Sequence, residues 1–204
     1  CNSSNCPSAK PAFSFFAIRG RGDPNDAAFQ DYVGVLYSLA YAVRMSYKWD
    51  EPPAGYETYT VYPLEGVWDV SDEAKAKAAR SGGGSATAGG GALDKDSLVF
   101  NLMIRQPGFV TPELAERAMD TARRKKPSPL LGSAEFVTLD EGPCVQMLHT
   151  GSYDDEPASF RRMEEFCASE GLTRKSLTHR EIYLSDPRSS DPARLRTVLR
   201  FQVE

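Results

Sequence analysis

The segment Thr178-His179-Arg180-Glu181-Ile182-Tyr183-Leu184-Ser185-Asp186 decides how the chain is read. It alternates, and alternation with period two is the mark of a β-strand. Ile182 and Leu184 fall on one face; His179, Glu181 and Tyr183 fall on the other. A carboxylate between an imidazole and a phenol is an odd way to build a plain surface. It is a reasonable floor for a pocket that receives an aromatic or cationic guest. The plainer alternative is also open: antiparallel sheets often keep one face wet, and Glu181 would then look into solvent.

Around this strand lie 204 residues, 41% hydrophobic and 25% charged, with a net charge of -4. That length is enough for a substantial core in one large domain or two small ones. The slight acidity gives no general attraction to nucleic acid or anionic membrane. No apolar run approaches the roughly 20 residues of a membrane span. The expectation is a cytoplasmic, bacterial, monomeric protein without metal or cofactor. His149 and His179 lack metal-ligand spacing, and the four cysteines lack zinc-site spacing. Gly20-Arg21-Gly22 lacks the third glycine of a dinucleotide fingerprint. The short basic run Arg123-Arg124-Lys125-Lys126 suits a helix C-terminus better than a nucleic-acid patch.

Read in order, residues 1–10 form a disordered arm or a tag remnant. Phe13 to Ile18 is a strand. A helix capped by Asn25 or Asp26 follows, with Phe29, Val33, Leu36, Ala40 and Val43 inward and Tyr37 and Tyr41 on an adjoining stripe. Tyr56 to Glu65 reads as the second strand and Asp72 to Arg80 as a short helix. Residues 81–92 are a Gly/Ser/Ala tract, hence a mobile loop or an artificial linker. Ser97 to Ile104 is the third strand. Thr111-Pro112-Glu113 opens a connecting helix, with Thr111 as its cap.

The order then returns. Strand material from Glu135 to His149 breaks at Gly142-Pro143, a helix covers Ser159 to Ser169, and strands cover Leu177 to Leu184 and Leu195 to Val203. Thr58-Tyr59-Thr60-Val61-Tyr62-Pro63-Leu64 lies over Thr178-His179-Arg180-Glu181-Ile182-Tyr183-Leu184, and Phe29 over Phe160. The fold class is therefore α+β: tandem pseudo-symmetric βαββ repeats forming an antiparallel sheet surface with a central ligand cleft and helices on the outer face. The first repeat occupies 11–108, the linker helix 109–128 and the second repeat 129–204.

Several motifs in this order resemble one known family. They are Gly22-Asp23-Pro24, Tyr37-Ser38-Leu39-Ala40-Tyr41, Pro63-Leu64-Glu65-Gly66, Leu102-Met103-Ile104-Arg105-Gln106-Pro107, Val145-Gln146-Met147-Leu148-His149, Tyr153-Asp154-Asp155-Glu156-Pro157 and His179 to Pro187. Together they are similar to the GyrI-like small-molecule-binding domain, in its stand-alone branch, over residues 11–204. The family's Trp-rich segment is reduced here to Val67-Trp68-Asp69, and the next strand carries Val99-Phe100-Asn101.

The resemblance implies a ligand cleft for a hydrophobic or cationic aromatic small molecule. It implies drug sequestration or detoxification, as in the drug-binding domains of multidrug transcription activators. The alternative it offers is a cyclopropanoid cyclopropyl hydrolase, which opens the cyclopropane of electrophilic DNA-alkylating natural products by glutamate-assisted water attack. A third possibility is a protein-interaction inhibitor of the gyrase-inhibitor type. Glu181 and Glu141 are the candidate catalytic pair. The candidate ligand-binding residues are Tyr37, Tyr41, Glu65, Trp68, Phe100, Met103, His149, Tyr153, His179 and Tyr183. Each also has an ordinary reading: Glu65 as a strand-end charge, Glu141 as part of a turn, Trp68 as packing.

Overall fold

A computed structural model describes residues 8–9, 12–80 and 95–204. Expectations for the remaining arm residues and for the Gly-rich tract lie outside the described residues. The strands are β1 (Ser8–Ala9), β2 (Phe13–Arg21), β3 (Leu64–Val70), β4 (Leu98–Arg105), β5 (Ala134–Leu139), β6 (Pro143–Thr150), β7 (His179–Tyr183) and β8 (Arg196–Gln202). The helices are α1 (Ala27–Arg44), α2 (Asp72–Arg80), α3 (Pro112–Lys125) and α4 (Glu156–Glu170).

All strand pairings are antiparallel, in the order β1-β6-β8-β7-β3-β4-β2-β5. The pseudo-symmetry is visible in that order. Each repeat places its first strand outside (β2, β6), its third in the middle (β4, β8) and its second innermost (β3, β7). The halves join where β3 pairs with β7, with Gly66 opposite Glu181 and Trp68 opposite His179. β5 and β1 extend the two flanks.

The helix ends follow from local chemistry. Thr111 Oγ1 accepts the Leu114 N–H at 3.3 Å and caps α3, with Pro112 at its first position. Gly171 closes α4 at φ 68°, a left-handed conformation that a glycine adopts without strain. On α1, Val35, Leu36, Leu39, Ala40 and Val43 are buried against Phe16, Ile18, Leu102 and Ile104 of the sheet. The equivalent packing under α4 uses Met163 and Cys167 against Val145, Leu199 and Phe201.

One expected strand is displaced. Tyr56 to Pro63 pairs with no strand; the ladder begins only at Leu64 and runs to Val70. The alternation in this segment is real, but it serves side-chain packing. Tyr56 accepts from Arg44 Nη1 and donates to the Arg44 carbonyl, both at 2.8 Å. Tyr59 and Tyr56 pack on Phe109. The overlay of Thr58–Leu64 on Thr178–Leu184 is therefore out of register, because the spatial counterpart of β7 is Leu64–Val70. The match of Phe29 with Phe160 does have a spatial counterpart. Phe29 stacks on Trp68 at 5.9 Å and Phe160 meets His179 edge-on at 4.8 Å, and Trp68 and His179 are register partners.

The sheet is open but strongly curled. Its order puts β5 and β6 six strand spacings apart, roughly 29 Å if it were flat. Leu139 and Pro143, the facing ends of those strands, are four residues apart and can be separated by at most about 14 Å. The curl encloses the helix-free face. Inside it Phe15, Ala17 and Met103 are buried with Phe13, Val67, Val137 and Leu139 around them.

The same interior holds an ionic network. Arg180 and Arg200 are direct register partners on β7 and β8, an arrangement that repels unless something intervenes. Glu141, from the turn between β5 and β6, intervenes. Its carboxylate lies 2.9 Å from Arg180 Nε and 2.6 Å from Arg200 Nη1. Glu65 of β3 takes the other end of Arg180 at 2.7 Å, and Gln146 accepts from Arg200 at 3.0 Å. Arg180 and Glu65 are 5% and 6% exposed, so neither charge is shared with bulk water. Burial pushes the Glu65 carboxyl up from its usual range, against the pull of Arg180.

Removing Arg180 leaves the buried Glu65 carboxyl without its guanidinium, while Glu141 keeps Arg200. Arg180→Met is expected to cost about 3–5 kcal/mol, read as a fall in Tm of about 6–20 °C. The deficit should shrink in acid. A carboxyl whose pKa is raised by folding favours the folded state at low pH and loses that contribution as pH rises. The gap between variant and wild type in urea unfolding should therefore be smaller at pH 5 than at pH 8. An equal gap at both pH values would count against the network as described.

Candidate functional site

β-Strand alternation sends Arg180 to the interior and Glu181 to the opposite face, where the helices lie. On that face α1 covers β2 and β4, and α4 covers β6. The central pair, β3 and β7, lies between them, with Phe29 of α1 on Trp68 and Phe160 of α4 against His179, and forms the floor of the candidate trough. Trp68 and His179 form one row of that floor. Gly66 and Glu181 form the next.

Glu181 is 9% exposed. His179 Nε2 lies 3.0 Å from its Oε1, and the Tyr183 hydroxyl donates to it. Tyr183 in turn accepts from Trp68 Nε1–H at 2.8 Å. A chain of donors thus runs Trp68 to Tyr183 to Glu181, across the junction of the two halves. Burial first, and then the Glu181 charge, push the Tyr183 phenol well above its ordinary value, so it keeps its proton to donate.

Gly66 makes this bridge possible. A Cβ there would stand 2.7 Å from Trp68 Nε1 and 3.2 Å from the Tyr183 hydroxyl. The Trp68–Tyr183 hydrogen bond arches over the space that a side chain would fill. The position facing Glu181 across the ladder is therefore left without a side chain.

The walls come from the helices. Trp68 rests on Phe29 and Phe100. Tyr153, 37% exposed, meets Tyr183 edge-on at 6.1 Å, and burial together with Glu181 pushes its phenol up to about 12. Tyr37 reaches from α1 toward Asp186 and Arg188 in the turn after β7, and its phenol is pushed up by burial and by Asp186. Tyr41 lies beside it at 6.3 Å and is 54% exposed.

The structure brings together Trp68, Tyr153, His179, Glu181 and Tyr183, with Tyr37 and Tyr41 on the α1 side. It does not bring Glu141 to Glu181. Glu141 lies in the curled interior, on the opposite face of the sheet, between two arginines. Glu65 and Met103 share that interior face and do not line the trough. Phe100 is core beneath Trp68: it is 5% exposed and fills the space beside Gly20. His149 is 4% exposed and structural in its bonding. Its Nε2–H donates to the Ser152 carbonyl and its Nδ1 accepts from Ser159, both at 2.9 Å, which ties β6 to the start of α4.

The residue that sequence reasoning missed is Glu156. It is the first residue of α4, 8% exposed, and its Oε1 has no hydrogen-bond partner. Burial, then Glu181 and Asp154, push its carboxyl up to about 9. In the sequence it falls in the turn expected before a helix beginning at Ser159, an ordinary place for an acidic residue. The helix begins three residues earlier, and burial makes the residue unusual.

Among the described residues no group of three His, Cys, Asp or Glu could hold a metal ion, and no helix is long and apolar enough to cross a membrane. No curated protein matches the chain significantly. Solved structures do. A conserved uncharacterised protein from Listeria innocua is 33% identical, with a TM-score of 0.83 over 98% of this chain and 92% of its own. A hydrolase from Listeria innocua is 32% identical, with a TM-score of 0.81 over 98% of this chain and 91% of its own. The C-terminal domain of EcmrR shares the fold at a TM-score of 0.51 and 14% identity, over 98% of this chain and 96% of that domain. The family model for the GyrI-like small molecule binding domain matches residues 9–204, and the chain belongs to that family.

Proposed function

We propose that the trough between α1 and α4 binds bulky, planar, hydrophobic or cationic small molecules over the Glu181 floor, for drug sequestration or detoxification. The observation that carries this reading is a contrast between buried carboxylates. Glu65 and Glu141 are each paired with arginine. Glu181, about as buried as Glu65, has a histidine and a phenol beside it and, among the described residues, no arginine or lysine ion pair. A buried carboxylate without a guanidinium or ammonium is expensive, and a cation seated on it offsets that cost. The rings of Tyr153 and Tyr183, backed by the buried Trp68, supply faces and edges for a flat partner.

A second reading has its own support: likeness along nearly the whole chain to a hydrolase at 32% identity. Glu181, held in place by two donors, would take a proton from water. The water oxygen attacks a strained cyclopropane carbon, the ring C–C bond breaks, and its electron pair passes through the dienone to the carbonyl oxygen. Tyr153, its phenol pushed up to about 12, keeps its proton through neutral pH and is the donor this reading assigns to that phenolate. The pairing of Glu181 with Glu141 plays no part in this reading.

Titration with rhodamine 6G, followed by fluorescence anisotropy, tests binding. Glu181→Gln removes about 1.5–3 kcal/mol of charged interaction, so affinity should fall about 10- to 100-fold. Glu141→Gln should leave the dissociation constant within about twofold, because its effect is on stability. No anisotropy change with the wild type at tens of micromolar dye would reject the binding reading. For the second reading, a spirocyclopropyl-dienone compound should gain the mass of one water. That turnover should drop at least about 100-fold in Glu181→Gln.

Gly66→Ala tests the shape of the floor. The added methyl collides with the Trp68–Tyr183 bond, and loss of that bond is expected to weaken dye binding about tenfold. Circular dichroism should stay native while tryptophan emission shifts. Unaltered binding would show that the bridge over Gly66 does not shape the site.

A further inference from the structure

The trough uses α1 and α4; α3 and the strand beside it take no part in it. β5 ends the sheet, and among the described residues it is paired on one side only, to β2. The ladder of β2 fixes which backbone groups of β5 are free. Gly22 N–H donates to the Leu98 carbonyl and Gln106 N–H to the Ser14 carbonyl, so Ser14, Phe16, Ile18 and Gly20 turn their backbone groups to β4. Phe13, Phe15 and Ala17 therefore turn theirs to Leu139, Val137 and Glu135 of β5. The N–H and C=O groups of Phe136 and Thr138 are left directed to the open edge. No turn, loop or cap among the described residues bonds to them. The usual protections of an edge are missing too. Ala134 to Leu139 holds no proline, no lysine and no bulge, and its one charge, Glu135, lies 3.9 Å from Arg19.

The side chains of Phe136 and Thr138 line a groove whose other wall is one stripe of α3: Pro112, Glu116, Met119 and Arg123, at helical spacing. This is not the core stripe of α3, which is Leu114, Ala115, Ala118 and Ala122. The helix runs from acid to base, with Glu113 in its first turn and Arg123, Arg124 and Lys125 in its last. Met119 lies near the middle of Glu116 and Arg123, as Val137 lies between Phe136 and Thr138. A groove with opposite charges on either side of its centre is complementary to itself after a half-turn.

We propose that β5 and α3 form the interface of a homodimer, in which β5 pairs antiparallel with β5 of a second copy about a two-fold axis through Val137. Phe136 and Thr138 exchange backbone hydrogen bonds with Thr138 and Phe136 of the second copy. Val137 meets its own counterpart as a non-hydrogen-bonded pair, with Cα atoms about 4.5 Å apart. Glu135 comes opposite Leu139 of the second copy, so like charges are not opposed along the strands. The axis stands perpendicular to the sheet. Both α3 helices therefore lie on one side, antiparallel, while both sheets curl away to the other. Met119 faces Met119 of the second copy across the joined grooves, and Glu116 of each copy reaches Arg123 of the other. Arg123 gives up Asp120 for that contact, an exposed pair within one helix that contributes little. A strand pair with one helix contact is at the small end of specific interfaces, so the dimer forms and dissociates with concentration. This replaces the monomer expected from the sequence, and it is independent of whether the trough binds a dye.

Sedimentation equilibrium of the whole chain from about 10 μM to about 1 mM tests it. The average mass should rise from that of one chain toward that of two. Arg123→Glu sets acid against acid at two symmetric places and should weaken association at least about tenfold; Glu116→Arg sets base against base and should do the same. The double variant Glu116→Arg with Arg123→Glu restores both pairs with their signs exchanged. It should recover the wild-type constant within about threefold. Both positions are exposed, so the variants should keep the native fold by circular dichroism. Val137→Cys, oxidised at the concentrations where the wild type dimerises, should give more cross-linked dimer than the wild type with its own cysteines. A single-chain mass up to about 1 mM overturns the proposal and leaves the edge to a strand of another protein. Association that Arg123→Glu does not weaken, or that the double variant does not restore, puts the interface elsewhere and also overturns it. Failure of Val137→Cys to cross-link rejects the strand pairing.

Discussion

Arg180 and Glu181 are neighbours in the chain, and a β-strand sends neighbours to opposite faces. The rest of the architecture depends on that constraint at the junction of β3 and β7. On one side Arg180 is clamped by Glu65 of the first repeat and Glu141 of the second, inside the curled sheet. On the other side Glu181 is presented, without a guanidinium, between helices that belong to different repeats. The clamp fixes the strand from behind, so the carboxylate in front needs no salt bridge of its own to stay in position. Two carboxylates of similar burial, Glu65 and Glu181, therefore have different surroundings, decided by which face of one strand pair they occupy.

The junction also explains the aromatic residues. Each repeat brings a helix whose early phenylalanine packs on the central strand, Phe29 on Trp68 and Phe160 on His179. The two halves are built alike, yet they differ where the floor must be polar. The first repeat supplies a flat indole and a glycine. The second supplies an imidazole, a carboxylate and a phenol. The Trp68–Tyr183 hydrogen bond crosses between them above Gly66. Two halves of like topology thus differ in side-chain chemistry where they meet.

Much of this was legible in the sequence. The order of elements, the Thr111 cap and the inward stripe of α1 follow from periodicity and capping chemistry. The placing of His179, Glu181 and Tyr183 on one face follows from period two. The displaced strand was not legible, because Tyr59 and Val61 alternate as a strand would while packing, with Tyr62, against the core around α1. The pairing of Glu141 with Glu181 failed for a physical reason. Nothing local in Asp140-Glu141-Gly142-Pro143 reveals that the sheet curls until this turn meets Arg180 and Arg200. Glu156 was hidden for the converse reason. It falls in what reads as a polar turn ahead of the helix, where a glutamate is ordinary, and its burial comes from packing that no local pattern reveals.

The same geometry bears on how one fold can serve both capture and chemistry. Capture needs a desolvated charge and flat apolar walls; hydrolysis needs in addition a base and a proton source at fixed positions. On the proposed reading the two requirements overlap: Glu181 is a buried carboxylate beside the phenols of Tyr153 and Tyr183, both pushed up by burial and so proton-bearing at neutral pH. A carboxylate next to retained protons is the division of labour that acid–base catalysis requires. A guest with an electrophilic carbon would meet both groups, and a guest without one would meet only a charge and rings. The reactivity of the guest would then decide whether a bound molecule is held or transformed.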